Sequence, residues 1–125
     1  MIERIFLAVI GVAYLLLAAW CSLRPNQTSQ SVGFLLSPGS GQSEFLVVYG
    51  GMELGLGLFL GLCMFKPEWQ VAGLWLVLLA NGGAGLARLL GVYLSGAAVG
   101  GYLGWALLWE LGFATLAALA LALEK

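Results

Sequence analysis

The chain has 125 residues, 62% of them hydrophobic and only 9% charged, with a mean hydropathy of +1.00 and a net charge of −1. A soluble domain is about a quarter charged, so this is membrane composition, and without a basic or acidic run nothing supports a nucleic-acid partner or an electrostatic membrane anchor. Histidine is absent, which removes the usual proton shuttle, haem ligand and metal ligand together.

The first apolar stretch runs over about Ile5–Leu23. It carries a weak charge pair, Glu3 and Arg4, and lacks a small-x-small cleavage pattern, so it reads as a retained span rather than a signal peptide. The one long polar connection follows, Arg24 to Ser43, with breaks at Arg24-Pro25-Asn26 and Pro38-Gly39-Ser40-Gly41. Between the breaks Val32 to Leu36 is apolar, so part of this loop is expected at the membrane interface or folded back on the helices. Ser43 and Glu44 then suit an N-cap and first-turn acid.

The second span covers about Phe45–Phe65 and ends at the tight turn Lys66-Pro67-Glu68, with Pro67 opening the next helix. The third covers about Trp69–Val92 and the fourth Val99–Leu123, separated by the weakly punctuated Gly91–Gly101 segment. Each is close to the roughly 20 residues needed to cross about 30 Å of hydrocarbon. The expected architecture is an all-α integral membrane protein: one domain, 1–125, forming a four-transmembrane-helix bundle with short loops except the first. An even number of spans puts both termini on one side. Arg4, Lys66 and Lys125 lie there against Arg24 with Arg88 near it, which favours cytoplasmic termini. Cys21 and Cys63 fall near opposite faces, too far apart for a disulfide, and read as small buried hydrophobes.

Glu53, Arg88 and Glu110 lie inside spans, where each charge costs about 2.5–3.5 kcal/mol at the bilayer centre. At a rise of 1.5 Å per residue, Glu53 lies about 12 Å from the loop-side edge, Glu110 and Asn81 about 16 Å, and Arg88 about 6 Å. Tyr14 reaches a similar level to the acids on the first span. Tyr49, Glu53, Gly57 and Gly61 form one helical stripe; so do Asn81, Ala84, Gly85 and Arg88, and Ala106, Glu110, Ala114 and Ala117. Polar groups flanked by small residues mark faces turned toward other helices, so these faces are expected to converge on one buried site. One arginine and two glutamates sum to −1 when all ionise. A dry site then needs one glutamate protonated or a cation bound. The competing reading is a structural ion pair that fixes helix register.

Glycine is the other signal, with 19 in the chain. Gly51-x-x-x-Gly55, Gly57-x-x-x-Gly61 and Gly100-x-x-x-Gly104 permit close backbone approach, within the bundle or between copies. Asn81-Gly82-Gly83-Ala84-Gly85 is alternatively a broken helix lending backbone groups to a ligand. No phosphate loop or hydrolase arrangement is present.

Glu44-x-x-x-x-Tyr49-Gly50-Gly51-x-Glu53-Leu54-x-Leu56-Gly57-Leu58, with Arg88-Leu89-Leu90-Gly91 and Glu110, resembles a group of small four-span bacterial membrane proteins, domain-of-unknown-function family 4345. The resemblance covers nearly the whole chain and implies four helices in a bacterial inner membrane, with no established activity. Arg4 and Glu53-Leu54-Gly55-Leu56-Gly57-Leu58 more loosely resemble DoxX-like four-helix proteins, some of them subunits of quinone-linked redox complexes. The long first loop and late Arg88 depart from that pattern.

The leading functional reading is a binding or transport protein. It would hold a proton, cation or small amphiphile at Glu53 and Glu110, with Arg88 above them and Asn81 and Tyr49 as hydrogen-bonding partners. A chain this short leaves little interior volume, so a transport path calls for a homo-oligomer. The alternative is a non-catalytic accessory subunit docked on a larger membrane protein; a quinone or lipid enzyme has least support, with no cysteine expected near the acids. No cofactor is named by any motif.

Overall fold

The structure, a computed structural model, describes residues 1–124, and those residues contain helices and no strand. α1 (Ile2–Leu23) stops at Arg24 because Pro25 has no N–H and disfavours helical geometry in the residue before it. Pro25 instead opens the short α2 (Pro25–Ser31). The chain turns at Gly33, whose φ of +91° suits glycine alone among common residues, and runs without regular structure to Ser37. A second left-handed glycine, Gly39 at φ +80°, starts a continuous helical run. That run comprises α3 (Ser40–Phe45), a π-helical segment Leu46–Met52 and α4 (Glu53–Phe65). Pro67–Trp69 forms a 3₁₀ turn into α5 (Gln70–Ser95), and α6 (Gly101–Leu123) completes the described chain.

Among the described residues four helical runs are long and apolar enough to cross a membrane: Ile2–Leu23, Ser40–Phe65, Pro67–Ser95 and Gly101–Leu123. Large apolar side chains on all four stay exposed, among them Leu16, Leu58, Leu79 and Leu108. Surface of that kind requires a lipid environment. The chain is a multi-pass membrane protein.

Several expected details differ. The second run begins five residues before Phe45, capped by Gly39, so Ser43 and Glu44 sit inside the helix and neither caps it. The Pro38-Gly39 turn re-aims the chain early, and backbone bonding then propagates from Ser40. α6 begins at Gly101, after Gly96–Gly100 leave helical geometry. The Asn81–Gly85 segment is unbroken helix. Each glycine there costs about 1 kcal/mol of helix propensity, less than the several kcal/mol of an unsatisfied backbone group in hydrocarbon. Lys125, counted toward the topology, lies outside the described residues.

The chain divides into two compact units, Met1–Gln70 and the part from Val71 onward. In the first, α1 packs along α4. Leu7, Ile10, Gly11, Ala18 and Cys21 form its buried stripe, with Phe45, Gly50, Gly57, Leu60 and Cys63 buried on the second run. Both cysteines are buried, and neither is in a disulfide. The two backbones come close where Gly11 meets Gly57: a Cβ on either would lie within 3.2 Å of the other's carbonyl oxygen. Of the glycine pairs at four-residue spacing, only Gly57 makes such an approach; Gly55, Gly61, Gly100 and Gly104 face open space. The motif marks where a helix is small, and the partner surface decides whether that space is used.

The first loop partly folds back. Thr28 and Ser29 are buried, their hydroxyls donating to the carbonyls of Arg24 (2.9 Å) and Asn26 (3.0 Å). The Phe34 amide donates to Ser29 O at 2.7 Å, and its ring contacts Tyr49 at 6.2 Å.

In the second unit, Gly85 lets α6 approach α5, since a Cβ there would lie 2.5 Å from Leu111 Cδ2 and 3.5 Å from Glu110 Cβ. Leu74, Val77 and Asn81 of α5 and Ala114 and Ala117 of α6 are buried.

Candidate functional site

The α5–α6 approach at Gly85 places Arg88, one turn on, opposite Glu110. The guanidinium donates twice, from Nε to Oε2 at 2.8 Å and from Nη2 to Oε1 at 2.6 Å. This is the forked geometry in which arginine binds carboxylate most strongly. The side chains are 27% and 12% exposed. Tyr102, absent from the expected set, lies with its ring 5.9 Å from the guanidinium carbon, within cation–π range. Its signal was the spacing Tyr102, Ala106, Glu110, one face of α6 with a small residue between the two partners.

Asn81 is 2% exposed and donates from Nδ2 to Val77 O of its own helix at 3.1 Å. Part of its hydrogen-bonding capacity is therefore spent locally. Ala84, expected on the same stripe, is exposed, whereas Asn81 and Gly85 are buried and Arg88 half-buried. The Ala106, Glu110, Ala114 and Ala117 stripe of α6 is covered throughout.

Glu53 and Tyr49 belong to the first unit. Their stripe is covered at Tyr49, Glu53, Gly57 and Gly61, while Leu54, Gly55, Leu58 and Leu62 are exposed. Tyr49 stacks on Phe45 at 4.6 Å and meets Phe34, so its ring belongs to an aromatic cluster closing the loop end of the unit. Glu53 Oε2 is buried without a hydrogen-bond partner; among the described residues the other such atom is Gln70 Nε2. An orphaned buried acceptor costs about 1–3 kcal/mol.

Cys21 lies within electrostatic range of Glu53 and shares a hydrogen bond with Thr28. This corrects the expectation of no cysteine near the acids. Depth counted at the α-helical rise overlooked the π segment, which closes i→i+5 bonds and winds more residues into each turn before Glu53. No group of three histidine, cysteine or acidic side chains suited to a metal occurs among the described residues.

The charges thus sort themselves. Arg88 neutralises Glu110, and Glu53 is the carboxylate with an unsatisfied buried oxygen. Comparison with curated proteins gives no match, and neither does comparison with solved structures. The family model described as a domain of unknown function, DUF4345, matches residues 2–121, and the chain belongs to that family.

Proposed function

We propose that this is a bacterial inner-membrane binding or transport protein whose Glu53 carboxylate holds a proton, a cation or a small cationic amphiphile. The observation that carries the reading is the buried, unpartnered Oε2 of Glu53. Intramembrane ionisable groups persist where they pair or take a ligand. Arg88 and Glu110 form a neutral, doubly bonded pair, so they contribute no net charge, and the vacancy rests with Glu53. Tyr49, in the same unit as Glu53, remains a candidate polar partner for the ligand. Both termini face the cytoplasm in this reading, with Arg4 and Lys66 on that side and Arg24 on the other.

The test uses the full chain reconstituted in phosphatidylcholine vesicles. An entrapped pH dye reports proton flux, and radiolabelled sodium reports cation uptake. Glu53→Gln keeps the shape and removes the charge. It is expected to reduce flux to that of empty vesicles while the protein stays folded. Wild-type flux in a folded Glu53→Gln protein would end this reading.

A further inference from the structure

The loop between the first two spans carries an apolar tip that the interior does not use. Leu35 is 88% exposed and Phe34 46%, although the neighbouring Thr28 and Ser29 are buried. Residues 25–43 contain no charged side chain at all, whereas an ordinary soluble surface is about a quarter charged or more. Polar loops in water keep charges; this one has shed them.

Depth gives the reason. The helical run Ser40–Phe65 has 26 residues, at most about 39 Å at 1.5 Å each and less where Leu46–Met52 is π-wound, against about 30 Å of hydrocarbon. Sharing the excess between the ends puts the hydrocarbon edge at most about 4–5 Å below Ser40. Tyr49 lies nine positions along, at most about 13 Å down, and its side chain tilts back toward the helix N-terminus. The Phe34 ring sits 6.2 Å from the Tyr49 ring. The loop therefore dips alongside the span to the level where headgroups meet acyl chains, and Leu35 projects outward there. Trp20, half-exposed at the loop end of α1, is an aromatic of the kind that occupies the same zone.

We propose that Phe34–Leu36 is a membrane-inserted tip that anchors the first loop in the lipid interface. Its partner is the lipid itself, at the boundary between headgroup and acyl chain. The left-handed glycines Gly33 and Gly39 turn the chain into and out of the tip. The buried Thr28 and Ser29 hold its other side to the helices. None of this depends on what Glu53 binds.

A thiol placed at Leu35, which packs against little, can carry an environment-sensitive nitrobenzoxadiazole dye. Cys21 and Cys63 are buried, and the wild-type protein taken through the same labelling gives the background. The control site is Gln30, exposed on α2. In phosphatidylcholine vesicles, dye at Leu35→Cys is expected to lose most of its emission to lipids carrying a nitroxide high on the acyl chain. It should also resist aqueous dithionite, with dye at Gln30→Cys behaving in the opposite way. Matching behaviour at the two sites overturns the proposal. So does protection from both quenchers, which would mean that protein, such as a second copy, covers the tip. Leu36→Cys carries the same test should Leu35→Cys fail to reconstitute.

Discussion

Arg88→Leu is expected to destabilise the protein by about 3 kcal/mol or more, the range seen when one partner of a buried ion pair is removed. The geometry puts the pair in that class. Both carboxylate oxygens of Glu110 accept from the guanidinium, at 2.8 and 2.6 Å, and Glu110 is only 12% exposed. Leucine leaves the Glu110 carboxyl without its partner among apolar side chains. Glu110→Leu should cost less, because the longer Arg88 side chain can turn its charge toward the headgroups. Arg88→Lys should fall between, since an ammonium cannot reproduce the two-pronged contact. The double variant Arg88→Leu with Glu110→Leu should recover most of the loss, as replacing a whole buried pair by apolar groups is often neutral. Denaturant unfolding in micelles across this cycle is expected to return a coupling of about 2 kcal/mol. A coupling near zero would class the contact with exposed pairs, which contribute about 0–1 kcal/mol.

Much of that pair was legible in sequence, and the reason is periodicity. Glu110 and Arg88 are each the only charged residue on a stripe made mainly of small ones, and helical spacing states which residues share a face whatever the tertiary structure. The covered positions Ala106, Ala114 and Ala117 follow the spacing directly. Ala84 was misplaced because a stripe assigned at both i+3 and i+4 is wider than the contact that fills it. Partners across helices are a different matter. Gly11 stands among large residues and belongs to no motif, yet it is one half of a close backbone crossing in the first unit. Its importance depends on register against α4, which a single sequence does not encode locally. The π segment was equally hidden. Leu46–Met52 holds Gly50-Gly51 and no proline, and that composition weakens a helix without naming a π winding. Gly50 within it faces Ser22 so closely that a Cβ would lie 2.7 Å from the hydroxyl oxygen. That segment leads directly into Glu53, so the least readable stretch of backbone adjoins the most informative side chain.

Gly57→Ala and Gly61→Ala, one helical turn apart on the same face, are expected to move stability in opposite directions. A Cβ on Gly57 would lie 2.8 Å from Leu15 Cγ and 3.0 Å from the Gly11 carbonyl oxygen. Neither is the free end of a flexible chain, so the helices must separate, and overpacking of this kind costs about 1–3 kcal/mol. Between helices in lipid the cost is felt in full, because association there rests on close packing rather than on escape from water. The same substitution at Gly61 meets nothing within 4 Å. It should therefore show only the gain in helix propensity, up to about 1 kcal/mol. Leu15→Ala should rescue part of the Gly57→Ala loss, since Leu15 supplies two of the closest atoms. It should leave the Gly61→Ala protein without a comparable benefit. Thermal unfolding of the five proteins, wild type included, reads these signs directly. Equal losses at Gly57 and Gly61 would mean that the four-residue motif acts as a unit against another surface, and that the Gly11–Gly57 crossing is not what holds α1 to α4.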